Sequence, residues 1–473
     1  MKNLERFSVT EAQLRSLVAE GLKNGGDWCD LYFEDTSYCD LLLRDGEVSS
    51  GGFNIDYGCG VRVLSGEKTG YSYSESTDYP SLLAAARAAS AIALSPSTDK
   101  ALSSKGFKSA SAKPGSFYTM QQDWRGTEAG RFVPYLEKLD KGIRERDSRV
   151  LKVVAMLSYS VSEIMMYNSL GELTSDCRPL GSISVTTVFK QGDQTETQSV
   201  SESLRAGAEM LTDRIIKSLV DRSVEKLDER FAARRPKGGQ MPVVMGAGAS
   251  GILLHEAMGH AFEADFNRKG QSIFTGKIGS RICREGINII DDATLPGIRG
   301  SINYDDEGVP GQKTYMVTDG VLTSYLHDRI SARWFDVEPT GNGRRESFRY
   351  NPIPRMRSTY MESGNDGTVQ DLIASVQKGI YVDQFANGQV KIGEGDFTFY
   401  VKSGFLIEKG RLTMPVKDIN IIGNGPQALA DIQAVASDLK VDEGTWTCGK
   451  EQSVAVSCGI PSVLISNLTV GGE

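Results

Sequence analysis

The feature that most constrains this chain is a pair of histidines, His255 and His260, in an apolar stretch. The sequence contains three histidines in all, so two of them fall in this one segment, with Glu256 directly after the first. Histidine is the commonest metal ligand among side chains, and a glutamate beside a metal is suited to take a proton from water. The apolar neighbours predict that both rings are buried, and a shared metal ion would give each ring a partner. We therefore interpret the segment as a zinc hydrolase site with Glu256 as the general base.

The spacing of the two histidines differs from the His-Glu-x-x-His signature, in which they stand four residues apart. On a regular helix of 3.6 residues per turn, a spacing of five corresponds to a rotation of about 140°, so the rings would point apart. A π-bulge would bring them together, and so would a distortion at Gly259, which has no Cβ. We predict a departure from α-helical geometry between His255 and His260. The alternative is two core histidines satisfied by ordinary hydrogen bonds.

A competing motif overlaps the start of this segment. Residues Gly246 to Gly251 match G-x-G-x-x-G, follow a strand-like run and precede the predicted helix, which is the setting of a dinucleotide-binding turn. That turn requires an acidic residue about 20 positions later at the end of a second strand, and the sequence there is polar and turn-like. The next strand-like run, 287–290, comes too late. We rank a nicotinamide enzyme last and expect the glycines to let the helix approach a sheet.

The composition is that of an ordinary globular protein. Of the 473 residues, 40% are hydrophobic and 24% are charged, and the net charge is −8 at pH 7. This charge predicts no nonspecific attraction to nucleic acid or anionic membranes. The N-terminus lacks the apolar core of a signal peptide and no run of about 18 apolar residues occurs, so we expect a cytoplasmic protein without a membrane span. Seven scattered cysteines do not indicate a disulfide framework.

A change of composition near residues 230–240 predicts two domains. We predict an α+β fold, with an N-terminal α+β domain over 1–232 and a β-rich domain over 233–473 that carries the histidine helix. In the first domain, 28–35 and 38–44 are predicted as separate strands and 204–231 as one helix. The pattern before residue 129 resembles the pattern after it, which suggests an internal duplication. We expect this domain to form dimers or to surround the substrate.

The third metal ligand is not decided by the sequence pattern. A catalytic zinc usually has three protein ligands and a water. Glu263 and Asp265 follow closely, His327 is the remaining histidine, and any cysteine is a further candidate. Glu263 or Asp265 would equally serve to orient an imidazole from behind. Arg344 and Arg345 are candidates to hold a substrate carboxylate by forked hydrogen bonds, with ordinary salt bridges as the competing interpretation.

The His255-Glu256-x-x-x-His260 segment, followed by Glu263-x-Asp265, resembles the signature of the TldD/PmbA family of metalloproteases. Four further motifs and one loop are similar to that family: Asp305-Asp306-Glu307-Gly308, the Arg344 loop, Pro354-Arg355-Met356, Cys448-Gly449-Lys450 and Asn467-Leu468-Thr469-Val470-Gly471-Gly472. The resemblance covers nearly the whole chain. Because PmbA-type relatives lack the histidine motif, the chain resembles the catalytic TldD type.

This resemblance implies a zinc ion bound by His255, His260 and Cys448, and a thiolate is a good zinc ligand. It also implies a dimer enclosing a chamber for small or unfolded peptides, formed either with a second copy or with a PmbA-type paralogue. One departure is Glu451-Gln452, where relatives commonly have Gly-Gln. The alternative is a noncatalytic regulator acting through protein partners, with a structural metal or none, in keeping with the older family label of DNA gyrase modulator.

Overall fold

The computed structural model describes residues 2–94, 106–391 and 394–471. Gly472, at the end of the C-terminal motif, lies outside these ranges. Helices and long strands alternate in the first half, and strands dominate the second half. The predicted α+β fold class is therefore confirmed. No helix in these ranges combines the length and the hydropathy required to cross a membrane.

The elements of the first half build one sheet covered by helices. The helices are α1 (Lys2–Arg6), α2 (Glu11–Leu22), α3 (Tyr79–Ser90), α4 (Val133–Arg146), α5 (Asp213–Val224) and α6 (Leu227–Ala232). The strands are β1 (Trp28–Arg44), β2 (Glu47–Ser65), β3 (Lys68–Ser74), β4 (Val150–Asn168), β5 (Leu173–Gln191) and β6 (Gln194–Leu204). All six strands pair antiparallel in the order β3-β2-β1-β4-β5-β6.

The same order of elements occurs twice in this sheet. A helix, three strands and a second helix follow one another as α2, β1–β3, α3 and again as α4, β4–β6, α5. The two sets meet at the antiparallel pair of β1 and β4, with Ser37 opposite Val161 near the middle of both strands. Two hydrophobic cores pack against the sheet, one containing Leu17 on α2 and the other containing Leu139 on α4. This repetition is the pattern that an internal duplication predicts.

The second half contains two larger sheets. The strands are β7 (Gly239–Met245), β8 (Ile289–Asp292), β9 (Lys313–Thr318), β10 (Val321–Leu322), β11 (Gly343–Arg344), β12 (Ile353–Pro354), β13 (Ser358–Met361), β14 (Lys378–Val390), β15 (Asp396–Glu408), β16 (Arg411–Val416), β17 (Ile419–Asn424), β18 (Ile432–Val435), β19 (Lys440–Val441), β20 (Thr447–Lys450), β21 (Gln452–Ala455), β22 (Ser457–Ile460) and β23 (Val463–Gly471). The helices are α7 (Gly251–Ala257), α8 (Ala264–Arg268), α9 (Arg329–Phe335), α10 (Val369–Ser375) and α11 (Gly425–Ala430).

The histidine helix lies between these two sheets. The strand β14 pairs with both β7 and β15, so β14, β7, β23, β17 and β15 close into a ring. The other sheet has the order β10-β9-β8-β13-β22-β19. Helix α7 contacts β14 and β15 on one side and β13 and β22 on the other. The strands β20 and β21 form a separate hairpin. The helix is thus held in the largest core of the molecule.

The glycine-rich turn before α7 does not open a dinucleotide-binding unit. After α7, the next strand along the chain is β8, which lies in the other sheet from β7. Gly251 packs against the backbone of Gly459, where an added Cβ would come within 2.6 Å of the main-chain nitrogen. The absence of a side chain therefore lets α7 approach β22, as the sequence predicts.

Candidate metal centre

The helix that carries His255 breaks before it reaches His260. Helix α7 ends at Ala257, Met258 has non-helical angles (φ −133°, ψ −39°), and a 3₁₀ turn covers Gly259–Phe262. The predicted departure from α-helical geometry is confirmed, and it takes the form of a break rather than a π-bulge. Gly259 sits against Met356, whose sulfur would lie 2.2 Å from an added Cβ. The close contact shows why glycine occupies the first position of the turn.

The break brings both imidazoles to one point beside a cysteine thiol. The ring centroids of His255 and His260 are 5.3 Å apart and their planes are nearly perpendicular. Cys448, on β20, places its Sγ 3.3 Å from Nε2 of His260. One ligand atom from each of the three residues lies within 4.8 Å of the other two, and all three residues are buried. Residues 188 positions apart therefore form one cluster.

His255 shows that this cluster suits a metal ion. The residue is 1% exposed, and neither ring nitrogen has a hydrogen-bond partner in the part of the chain that the structure describes. Leaving a buried polar group unsatisfied costs about 1–3 kcal/mol. A cation shared with His260 and Cys448 would satisfy a lone pair of this ring. The donor set of two imidazoles and one thiol therefore fits a metal better than it fits a closed hydrogen-bond network.

The electrostatics of the cluster favour the metal-binding form of the cysteine. Burial opposes ionisation of Cys448, but the neighbouring His255 and His260 outweigh it and lower the pKa of the thiol to about 4. A thiolate, not a thiol, is the form that ligates metals. The side chain therefore offers a ligating sulfur at neutral pH.

The buried carboxylate of Glu263 binds the ring nitrogen of His260 that does not face Cys448. Nδ1 of His260 donates to Oε2 of Glu263 at 2.9 Å, which leaves Nε2 free to face Cys448. Lys450 lies 3.0 Å from the same Glu263 carboxylate and 2.8 Å from Asp265. Burial opposes ionisation of Glu263, but Lys450 and His260 lower its pKa to about 2. Of the two acids that the sequence predicts to orient an imidazole, Glu263 contacts His260 directly. Asp265 is linked to Glu263 through Lys450.

Glu256 is the acidic group beside the cluster that solvent can reach. Its Oε2 lies 3.9 Å from Nε2 of His260, and a quarter of its side chain is exposed, whereas His260 is buried. Glu263, the other nearby acid, is fully buried and is engaged by Lys450. Glu256 is therefore both close to the cluster and partly accessible to solvent.

The two arginines predicted to hold a substrate carboxylate do not join the metal cluster. Arg344 is buried and donates to the main-chain oxygens of Met356 (2.6 Å) and Ala455 (2.7 Å). Arg345 is also buried and donates to the main-chain oxygen of Asp306 at 2.9 Å. Both residues line a cavity whose wall includes none of His255, His260 and Cys448.

His327 also lies outside the cluster. It is buried against the rings of Tyr325 and Phe335, and burial lowers its pKa to about 3. A neutral imidazole in an aromatic environment is a core side chain. Of the ligand candidates open at the level of sequence, the structure therefore brings Cys448 to the histidines and leaves His327 apart.

Two supporting residues were not predicted from the sequence. Arg355 is fully buried and donates to the main-chain oxygens of Cys448 (2.8 Å) and Gln452 (2.9 Å), which fixes the β20–β21 hairpin. Lys450 supplies the positive charge behind His260. The only signal for either was its place in a familial motif, Pro354-Arg355-Met356 for one and Cys448-Gly449-Lys450 for the other.

Family profiles match most of the chain. The profile of the PmbA/TldA metallopeptidase domain 1 matches residues 29–93, that of the central domain matches 124–230, and that of the C-terminal domain matches 238–472. The metalloprotease TldD homolog of Haemophilus influenzae is 39% identical over 459 residues, which are 94% of this chain and 93% of that protein. A metalloprotease of Methanothermobacter thermautotrophicus is 33% identical over 453 residues, 94% of this chain and 96% of that protein.

Solved structures share the fold. A Thermotoga maritima protein described as a candidate modulator of a DNA gyrase superposes with a TM-score of 0.77 at 22% identity, over 98% of this chain and 100% of that one. TldE from Thermococcus kodakarensis superposes with a TM-score of 0.73 at 21% identity, over 97% and 100%. At these identities the two structures establish a common architecture.

Proposed function

This chain belongs to the PmbA/TldD family of metallopeptidases, and from this membership we propose that it hydrolyses peptide bonds at the cluster of His255, His260 and Cys448. The observation that carries the proposal is the convergence of these three buried side chains, one of which, His255, has no hydrogen-bond partner among the described residues. Three protein ligands are typical of catalytic sites, because a further coordination position stays open for water or substrate.

We propose that the metal is zinc. Two imidazoles and one thiolate form a donor set that favours zinc over magnesium or calcium, which prefer oxygen ligands. The 3.3 Å between Sγ of Cys448 and Nε2 of His260 is close to the separation of about 3.6 Å expected for two donors of one tetrahedral zinc. When bound, such an ion supplies Lewis acidity to a peptide carbonyl and to water.

The residues of the chain itself supply the proton transfers and the positioning. Glu256 takes the proton of the attacking water and passes it to the leaving amine. Glu263 and Lys450 hold the ring of His260 in one tautomer, with Nε2 facing the cluster. The substrates are small or unfolded peptides, because a folded protein would not bring its backbone to so enclosed a site.

The role of Glu256 is tested by the Glu256→Ala variant. We expect a metal content close to that of the wild type, because Glu256 is not a proposed ligand, and a loss of peptide cleavage of about 10²–10⁴-fold, the contribution typical of a general base. Metal is measured by mass spectrometry and cleavage with a quenched fluorescent peptide. Glu285→Ala, at an exposed glutamate, is the control. Wild-type activity in Glu256→Ala would exclude this glutamate as the base.

The role of Cys448 is tested separately from activity. We expect Cys448→Ala to bind markedly less zinc per chain, because the cluster of His255, His260 and Cys448 loses its sulfur donor. Cys458→Ala is a matched control at a second buried cysteine, whose thiol pKa burial raises. Unchanged zinc stoichiometry in Cys448→Ala would remove this residue from the ligand set.

A noncatalytic regulator is the competing proposal, since a structural neighbour is described as a candidate modulator of a DNA gyrase. A structural zinc usually has four protein ligands, and the cluster in the described ranges offers three. This difference favours the peptidase. A purified wild-type protein that binds zinc but cleaves no unfolded peptide would favour the regulator.

A further inference from the structure

A cavity that is lined by none of His255, His260 and Cys448 lies between the N-terminal sheet and the loops of the second half. Its volume is about 200 Å³. Five arginines line it: Arg178, Arg205, Arg344, Arg345 and Arg357. Arg178 forms an ion pair with Asp306 at 2.5 Å, and Arg345 lies 3.6 Å from Asp30. Two of the five positive charges therefore have acidic partners in the protein.

The other three arginines form no ion pair with any residue that the structure describes. The two terminal nitrogens of Arg344 donate hydrogen bonds to main-chain oxygens. Arg357 donates from Nε to the oxygen of Gly341, and its Nη2 has no partner. The guanidinium of Arg205 makes no hydrogen bond within the described ranges and lies over the ring of Tyr118, 5.5 Å from the centroid. All three are nine-tenths or more buried, with exposures of 7% for Arg205, 4% for Arg344 and 2% for Arg357.

This arrangement is unfavourable without a counter-charge. Burying a charge without a partner is costly, and three positive groups beside one cavity add mutual repulsion. Burial is the largest cause that lowers the pKa of Arg205 and of Arg344. The charges of neighbouring arginines lower both values further, although Tyr118 acts in the opposite direction on Arg205. The cavity is therefore a place where negative charge is strongly stabilised.

The acidic residues on the wall do not neutralise the cavity. Asp306 is already paired with Arg178. Burial raises the pKa of Glu34 to about 7, so this group carries less than a full negative charge at neutral pH. Glu346 is exposed and accepts the main-chain N–H of Ser453. Positive charge thus remains in excess around the cavity.

We propose that this cavity binds a small multivalent oxyanion, a phosphate or a dicarboxylate, between Arg205, Arg344 and Arg357. Guanidinium groups bind planar carboxylates and phosphates through paired hydrogen bonds, and unused donors remain on two of these side chains. The volume accommodates one such molecule. The site is independent of the proposed peptidase activity, since it shares no ligand with the metal cluster.

The three arginines of the proposed anion site come from parts of the chain that are distant in sequence. Arg205 follows β6 of the first half, whereas Arg344 and Arg357 belong to the second half. Val454 also lines the cavity and is the cross-strand partner of Cys448 in the β20–β21 hairpin. A bound anion therefore stabilises the contact between the two halves next to the hairpin.

The test is a titration of the purified full chain with inorganic phosphate and, separately, with succinate at constant ionic strength. Binding is followed by calorimetry and by the melting temperature, and metal content is measured afterwards. We expect saturable binding of at least one anion, which identifies the oxyanion class. Arg205→Gln should weaken that binding at least tenfold. Its melting temperature without anion should equal or exceed that of the wild type, because the substitution removes a buried unpaired charge.

Arg230→Gln is the matched control. Arg230 is 6% exposed and forms no ion pair in the described ranges, and burial lowers its pKa, but it lines other cavities. Its variant should bind the anion as the wild type does. The proposal is overturned if the wild type binds neither anion saturably, or if Arg205→Gln binds as tightly as Arg230→Gln.

Discussion

Lys450 supplies the positive charge beside the carboxylates of Glu263 and Asp265, the first of which contacts His260. Its ammonium group contacts the buried carboxylates of Glu263 and Asp265 and comes from a hairpin 185 or more positions later in the chain. Buried carboxylates that lie close together repel each other, and a positive partner offsets that cost. Lys450 is therefore linked to His260 through Glu263, whose carboxylate accepts the hydrogen bond from Nδ1 of the ring.

The Lys450→Met variant tests this dependence. We expect destabilisation of about 3–5 kcal/mol, as for the loss of one partner of a buried ion pair. We also expect about 10–100-fold weaker metal binding, because the support of a ligating imidazole is lost. Chemical denaturation and competitive metal titration measure the two effects.

Lys217→Met is the control for that variant, since Lys217 forms an exposed ion pair with Asp221 on α5. It should change neither measurement. Wild-type metal affinity in Lys450→Met would show that the lysine only stabilises the fold.

The ligand residues differ in how far the sequence predicts them. The types and clustering of His255, Glu256 and His260 are enough to predict a metal-dependent site. No spacing rule reaches Cys448, which resemblance alone suggests. Lys450 pairs with the carboxylate of Glu263, and Arg355 donates to the main-chain oxygen of Cys448. Both partners come close only in the folded molecule. Long-range contacts of this kind leave no local pattern.

The break between α7 and the following 3₁₀ turn is the element-scale feature that assembles the site. It depends on close packing of Gly259 against the buried side chain of Met356. The i, i+5 spacing of the histidines predicts that the helix must be irregular. It does not predict the kind of irregularity, because Met356 is almost a hundred residues away.

The Gly259→Ala variant tests this contact. The added Cβ would lie 2.2 Å from the Met356 sulfur and 3.0 Å from its terminal carbon. We expect destabilisation of about 1–3 kcal/mol from overpacking. Met356→Ala in the same chain should recover part of that loss, which a double-mutant cycle in urea measures. Gly130→Ala, in another 3₁₀ turn where nothing lies within 4 Å, is the control. Additive losses would show that the two residues do not compete for space.

Two secondary-structure elements of the first half differ from those predicted from the sequence. Residues 28–35 and 38–44 are predicted as separate strands, but the structure has one strand, β1, because neighbours on both sides pair with it and bury Thr36. The single helix predicted over 204–231 is wrong. Strand β6 continues to Leu204, and a left-handed Lys226 (φ 54°) separates α5 from α6. Pairing and packing thus override local propensity in both places.

At the scale of the whole molecule, two large apolar side chains lie close together on the surface of the first half. Phe53 and Ile55, two residues apart on β2, are 65% and 54% exposed. Neighbouring side chains of such size are common at interfaces between subunits. We propose that the chain divides near residues 232–233, where α6 ends, and that this apolar part of the first domain contributes to the dimer enclosing the peptide chamber.

Replacing both residues tests the assembly. If the wild type sediments as a dimer, Phe53→Ser with Ile55→Ser should shift it to a monomer, because the interface loses its apolar anchors. Ile422→Ser, at a residue 41% exposed on β17, is the control and should leave the mass unchanged. Sedimentation equilibrium gives the masses. A dimer retained in the double variant would place the interface elsewhere.

The sequence distance between the histidines and Cys448 has a consequence for biosynthesis. Synthesis proceeds at about 5–20 residues per second, so the 188 positions from His260 to Cys448 take about 10–40 s to translate. Throughout that interval a nascent polypeptide carries both imidazoles but lacks the sulfur. If Cys448 is a metal ligand as we propose, the metal site is completed only after the β20–β21 hairpin has left the ribosome.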